Sequence, residues 1–230
     1  MNQATQTQKR GLLRGASRVN EAYGFVFLLT LLSIITLSIS PDKRWDRLFD
    51  LTLVVFTAMA GILASNVNAR RLRTAFSAAA TAITLSFISV FAESDALEFL
   101  AITIAAALLL ACVATILKRI VNTTSVNFRT ILGALTSYTM IGLLFAYTYL
   151  ATSLMQDEPF FQATDKVAPG DLLFFSYTTL TTTGYGNLVP AGEPGQTISI
   201  FEMLTGQIFL VVLVAGLVSL WRPERTGKQH

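Results

Sequence analysis

Cysteine and histidine are nearly absent: Cys112 and His230 are the only ones in 230 residues. A single thiol closes no disulfide within the chain, and one terminal imidazole leaves no His cluster for a metal site. Charge is scarce as well. Only 13% of residues are Asp, Glu, Lys or Arg, where a soluble domain carries about 25%. So little polar surface cannot cover a globule of this size. With 53% hydrophobic residues and a mean hydropathy of +0.57, the chain is read as one that sits in lipid. Its basic residues lie in short clusters between apolar runs, which argues against nucleic-acid binding. The apolar runs hold no nucleophile–base pair and no phosphate-binding loop appears, so neither enzyme activity nor a cofactor is expected.

What is present is a series of long apolar runs. A spanning helix needs about 20 mostly apolar residues to cross about 30 Å of hydrocarbon. Such runs lie at 23–40, 51–66, 74–92, 99–117, 131–154 and 198–221. The second is short, with Trp45 before it as an interfacial anchor. The first exceeds the usual 7–15-residue core of a signal peptide, and Pro41 follows it, so it is read as a span.

Six spans put both termini on one side. If that side also holds the second and fourth connections, it carries thirteen of the seventeen basic residues, including Lys9, Arg10, Arg14, Arg18, Arg70, Arg71, Arg73, Lys118, Arg119 and Arg129. The other side keeps Lys43, Arg44, Arg47 and Lys166. This excess makes the basic side cytoplasmic in a multi-pass cell-membrane protein. Arg10, Arg14 and Arg18 form one helical stripe beside Leu12, Leu13 and Val19, a candidate contact for anionic lipid or simply a determinant of topology.

Between the fifth and sixth runs the pattern changes. Residues 155–169 are polar and turn-rich, as in an extracellular loop. About ten apolar residues follow, 172–181, half the length of a span, which predicts a re-entrant helix. Asp171 stands where a carboxylate caps that helix. Next comes Thr182-Thr183-Gly184-Tyr185-Gly186-Asn187. Successive carbonyls point at one axis when alternate residues take left-handed angles, which glycine reaches at little steric cost.

This motif resembles the selectivity filter of the tetrameric potassium channels, usually T-V-G-Y-G. The likeness covers about 131–221. It implies an all-α integral membrane protein with six transmembrane helices, a re-entrant pore helix and a filter loop, assembled as a homotetramer with three identical subunits around a central pore. By the resemblance, Thr182, Thr183, Gly184 and Tyr185 give carbonyl ligands to K⁺ as the permeant ion, with Gly186 at the outer mouth. Gly206 matches a hinge glycine, or is a small residue for helix packing. Asn187 stands where Asp is common, Thr183 where Val is common, and Phe174-Phe175 where tryptophans often brace the filter, so the usual carboxylate-to-aromatic brace is missing. Helical spacing puts Gln207, Leu210, Val214 and Val218 on one face of the last span, either lining a cavity with Val214 and Val218 as an apolar gate or packing against a helix. Glu202, inside that span, is expected near its outer end, either bonded to the re-entrant helix as filter support or partly protonated.

The resemblance divides the chain into a cytoplasmic basic segment (1–22), a four-helix unit like a voltage sensor (23–130), a pore domain (131–222) and a cytoplasmic tail (223–230). The fourth run carries no basic residue before Lys118 and Arg119, so weak or no voltage dependence is expected. The chain stops nine residues after Trp221, so a gating ligand is expected to act on the membrane part or through a partner. A passive potassium channel is the leading function. A weakly selective monovalent cation channel and a potassium-transporter subunit are the alternatives.

Overall fold

The computed structural model describes residues 22–41, 43–65, 67–122, 128–162 and 166–220. The basic stripe of Arg10, Arg14 and Arg18 and the tail 223–230 lie outside them, as do the side chains of Arg129, Val214 and Val218. The described residues are helical, with α1 at Ala22–Ile39, α2 at Arg44–Ala64, α3 at Ala69–Ala92, α4 at Asp95–Val121, α5 at Phe128–Leu154, α6 at Pro169–Leu180 and α7 at Glu193–Leu220. All but α6 are long and apolar enough to cross a membrane. These six helices make a multi-pass membrane protein.

Several helices begin earlier than their apolar runs. The second span is not short: α2 has 21 residues and starts at Arg44, two turns before Leu51. An apolar run stops where charge appears, but the backbone ladder does not. Here the charges have partners. Arg44 Nη2 lies 2.9 Å from Asp95 Oδ1 and Arg47 Nε 2.5 Å from Glu98 Oε1, tying the start of α2 to the start of α4. Arg70, Arg71 and Arg73 likewise belong to α3 and not to a connection, and Lys118 and Arg119 form the last turn of α4. With Asp95 and Glu98 in its first turn, α4 carries charges opposite in sign to its own dipole at both ends.

α4 sits centrally, packed on α2, α3 and α5. Small residues bring it close: Ala101, Ala105 and Cys112 are fully buried. A Cβ on Gly61 of α2 would fall 2.3 Å from Cys112 Sγ, so no larger residue fits that crossing. At the same end Arg119 Nη1 donates to the Ala64 carbonyl at 2.8 Å, occupying an oxygen the end of α2 leaves open. α3 turns directly into α4 through Glu93, whose φ of 49° is left-handed.

Candidate functional site

α6 has 12 residues, about 18 Å of helix, too short to cross a bilayer. Pro169 opens it, and Asp171 Oδ2 accepts from the Ala168 amide at 3.0 Å. The capping carboxylate is thus at the start of α6, one helix length from the motif. α6 extends from 169 to 180, so its start precedes the apolar stretch that the sequence suggests.

Three polar contacts dock α6 on its neighbours. Tyr177 OH donates to the Thr139 carbonyl of α5 at 2.6 Å, and Ser176 Oγ lies 2.8 Å from the Gly142 carbonyl. Gly142 has to be glycine, because a Cβ there would lie 2.6 Å from the Tyr177 ring. Ser176 Oγ also lies 2.5 Å from Glu202 Oε1, while Tyr149 OH donates to Glu202 Oε2 at 2.6 Å. Tyr149, Ser176 and Glu202 are fully buried. One carboxyl therefore joins α5, α6 and α7, and each of its oxygens has a hydroxyl partner. Glu202 is a candidate that sequence reasoning ties to the short helix. Tyr149 is a partner it missed, since a tyrosine in an apolar span carries no signal of its own.

The chain leaves α6 through 181–190, and both ends of this stretch are anchored. At the outer end the Gln162 amide donates to the Val189 carbonyl at 3.0 Å and the Ala191 amide to the Phe160 carbonyl at 2.9 Å. At the inner end the amides of Thr183 and Gly184 donate to the Thr178 carbonyl at 2.8 and 3.1 Å. In a planar trans peptide the carbonyl points opposite to the amide hydrogen. The Thr182 and Thr183 carbonyls are therefore turned away from α6.

Three alternate residues are left-handed: Thr182 (φ 57°), Gly184 (54°) and Gly186 (77°). Glycine reaches this region freely, whereas a β-branched residue is strained there by roughly 1–2 kcal/mol. The left-handed Thr182 was not legible in advance. Residues 181–187 are all exposed in the single chain. Tyr185 stacks on Phe174, with ring centroids 5.7 Å apart and planes 14° from parallel. Phe175 instead turns inward onto Tyr149 and Phe161, at 5.1 and 5.3 Å. Asn187 is exposed.

α7 approaches the inner end of the loop through Gly206. A Cβ there would fall 2.1 Å from the Leu180 carbonyl oxygen, and α7 runs unbroken through this residue. The glycine makes room for the crossing with α6. One residue on, Gln207 Nε2 donates to Thr182 Oγ1 at 3.4 Å. Leu210 is exposed, but so are Ile208, Val211 and Val212 around it, so exposure singles out no face of α7.

Residues 138–222 match a family model described as an ion channel. The match holds most of α5 and all of α6, the loop and α7. No curated protein matches the chain. With six apolar helices, the match supports an ion-transporting membrane protein and points away from an enzyme.

Proposed function

We propose that the chain is one subunit of a homotetrameric channel that passes K⁺ along its gradient through a pore formed where four loops meet. The observation that carries this reading is the backbone of 182–186, with alternate left-handed residues and the Thr182 and Thr183 carbonyls turned away from the helix that holds them. One strand of oxygens cannot encircle an ion; four related by rotation can, and they replace the water a cation sheds. Exposure of 181–187 in the single chain fits a surface that neighbouring copies cover.

In this reading α6 is re-entrant. The carbonyls of Thr182, Thr183, Gly184 and Tyr185 are the ligands, Gly186 forms the outer mouth, and Thr182 Oγ1 adds an oxygen at the inner end. Glu202 and Asp171 support the loop through α6, while Gln207 and Leu210 border the cavity below. The basic ends of α3 and α4 face the cytoplasm, as do both termini. Opening depends weakly or not at all on voltage, because the apolar stretch 100–117 of α4 has no Lys or Arg to move through the field.

The test is the reversal potential of the purified protein in liposomes under opposed K⁺ and Na⁺ gradients. A shift toward the K⁺ equilibrium potential is expected, with no conductance from Gly184→Ala, whose left-handed φ a side chain strains. Equal permeability would instead make the protein a weakly selective cation channel.

A further inference from the structure

A groove enclosing about 480 Å³ opens on the surface of the four-helix unit, away from the loop. This is within the range of about 300–1,000 Å³ of pockets that hold small organic ligands. Its walls are apolar and mostly small: Ala75 and Ala78 from α3, Ala107 and Ala111 from α4, with Ile62 of α2 at its base. Arg71 of α3 and Lys118 of α4 line one end, and both are exposed. Along α4 the lining extends from Lys118 to Ile104, fourteen residues or about 21 Å. That exceeds half of the roughly 30 Å hydrocarbon layer.

Charge is divided sharply along this unit. Among the described residues of α2–α4, Asp46, Asp50, Glu93, Asp95 and Glu98 all lie toward the other end, and Arg44 and Arg47 pair with Asp95 and Glu98 there. No carboxylate lines the groove. A long apolar trough closed at one end by two cations is complementary to an amphiphile with a hydrocarbon tail and a negative head.

We propose that this groove binds an anionic phospholipid, with one acyl chain lying along the alanines of α3 and α4 and the phosphate between Arg71 and Lys118. The site does not depend on which ion the loop conducts. Bulk lipid fills any gap in a membrane surface, but the two cations select the headgroup, each by about fivefold near the membrane surface.

The experiment is native mass spectrometry of the full-length protein titrated with phosphatidylglycerol or phosphatidylcholine of identical chains. Wild type is expected to hold the anionic lipid more tightly, by up to about thirtyfold. Arg71→Gln with Lys118→Gln should abolish that preference. Arg70→Gln with Arg73→Gln, charges on the same end of α3 that do not line the groove, should leave most of it. Ala111→Phe should weaken both lipids by filling the trough. Equal preference in wild type and in Arg71→Gln/Lys118→Gln would overturn the proposal, as would equal loss in both charge pairs, which would indicate general surface charge. Displacement of the lipid by millimolar inorganic phosphate would make the ligand a free anion. A changed subunit number in Ala111→Phe would make the groove a protein contact. The charge pairs are on exposed side chains, so they decide the matter even if Ala111→Phe fails to fold.

Discussion

The Glu202 carboxyl joins three helices, and its contribution can be measured. Tyr149→Phe removes the hydroxyl that donates to Oε2 at 2.6 Å and keeps the ring packed on Phe160 and Phe175. A fully buried polar atom left without its partner costs about 1–3 kcal/mol. Glu202→Gln keeps the volume. One end of the amide still meets Ser176, but the other either meets Tyr149 as a second donor or forces that hydroxyl toward Ser199 Oγ, 3.2 Å away. Because Ser199 offers this second partner, its effect should fall toward the lower end of the same range. Both substitutions break the same bond, so together they should destabilise by about 1–2 kcal/mol less than their sum. Thermal unfolding of the four proteins in one fixed lipid–detergent mixture gives this coupling directly. Additivity within about 0.3–0.5 kcal/mol would refute the reasoning, because it would mean that Tyr149 and Glu202 act separately. In liposomes Tyr149→Phe should also raise the share of current carried by Na⁺, since α6 carries the loop.

Gly206→Ala places a methyl 2.1 Å from a backbone oxygen that cannot swing aside, so a loss of about 1–3 kcal/mol in unfolding free energy is expected, and a wild-type melting curve would contradict the α6–α7 crossing. Asp171→Ala removes the acceptor of the Ala168 amide and should cost about 0.5–2 kcal/mol, with Asp171→Asn recovering part of it in the same unfolding assay. Thr182→Gly should relieve roughly 1–2 kcal/mol of left-handed strain yet lower K⁺ over Na⁺ selectivity in reversal potentials, because the Oγ1 ligand is gone; unchanged selectivity would remove that hydroxyl from the proposed ligand set.

Some of this was legible because the controlling physics is local. The six apolar runs follow from hydropathy alone, since lipid leaves a helix few alternatives. The left-handed Gly184 and Gly186 follow from their lack of Cβ. Helix starts were misplaced where charged residues sit on a helix that continues past the apolar run, as at Arg44 in α2 and at Arg70, Arg71 and Arg73 in α3. The pairing that keeps Arg44 and Arg47 there comes from Asp95 and Glu98, some fifty residues on, and no local pattern encodes it. The same holds for Tyr149, 53 residues from Glu202. Gly142 and Gly206 lie in ordinary apolar helices. Their role appears only when the Tyr177 ring and the Leu180 carbonyl are set against them. The hinge reading of Gly206 comes from the resemblance, whereas the packing reading rests on a distance.

The loop itself is where sequence and local energy disagree, and that disagreement bears on assembly. Thr182 is β-branched, left-handed and exposed in the single chain. Its side chain meets Gln207 only at 3.4 Å, a weak restraint for so strained a backbone. Glycine would adopt the same angles without penalty. Strained residues persist where their surroundings over-determine them, and the end of α6 does part of this: the Thr182 amide donates to the Thr179 carbonyl at 3.0 Å and the Thr183 amide to the Thr178 carbonyl at 2.8 Å, the pair of bonds that closes a helix on a left-handed residue. In the proposed tetramer the three other loops and the ion add to it. The carbonyls turned inward repel one another when the pore is empty, and a cation between them offsets that repulsion. Ion occupancy and subunit association should therefore reinforce each other, adding to the restraint that the end of α6 already places on Thr182.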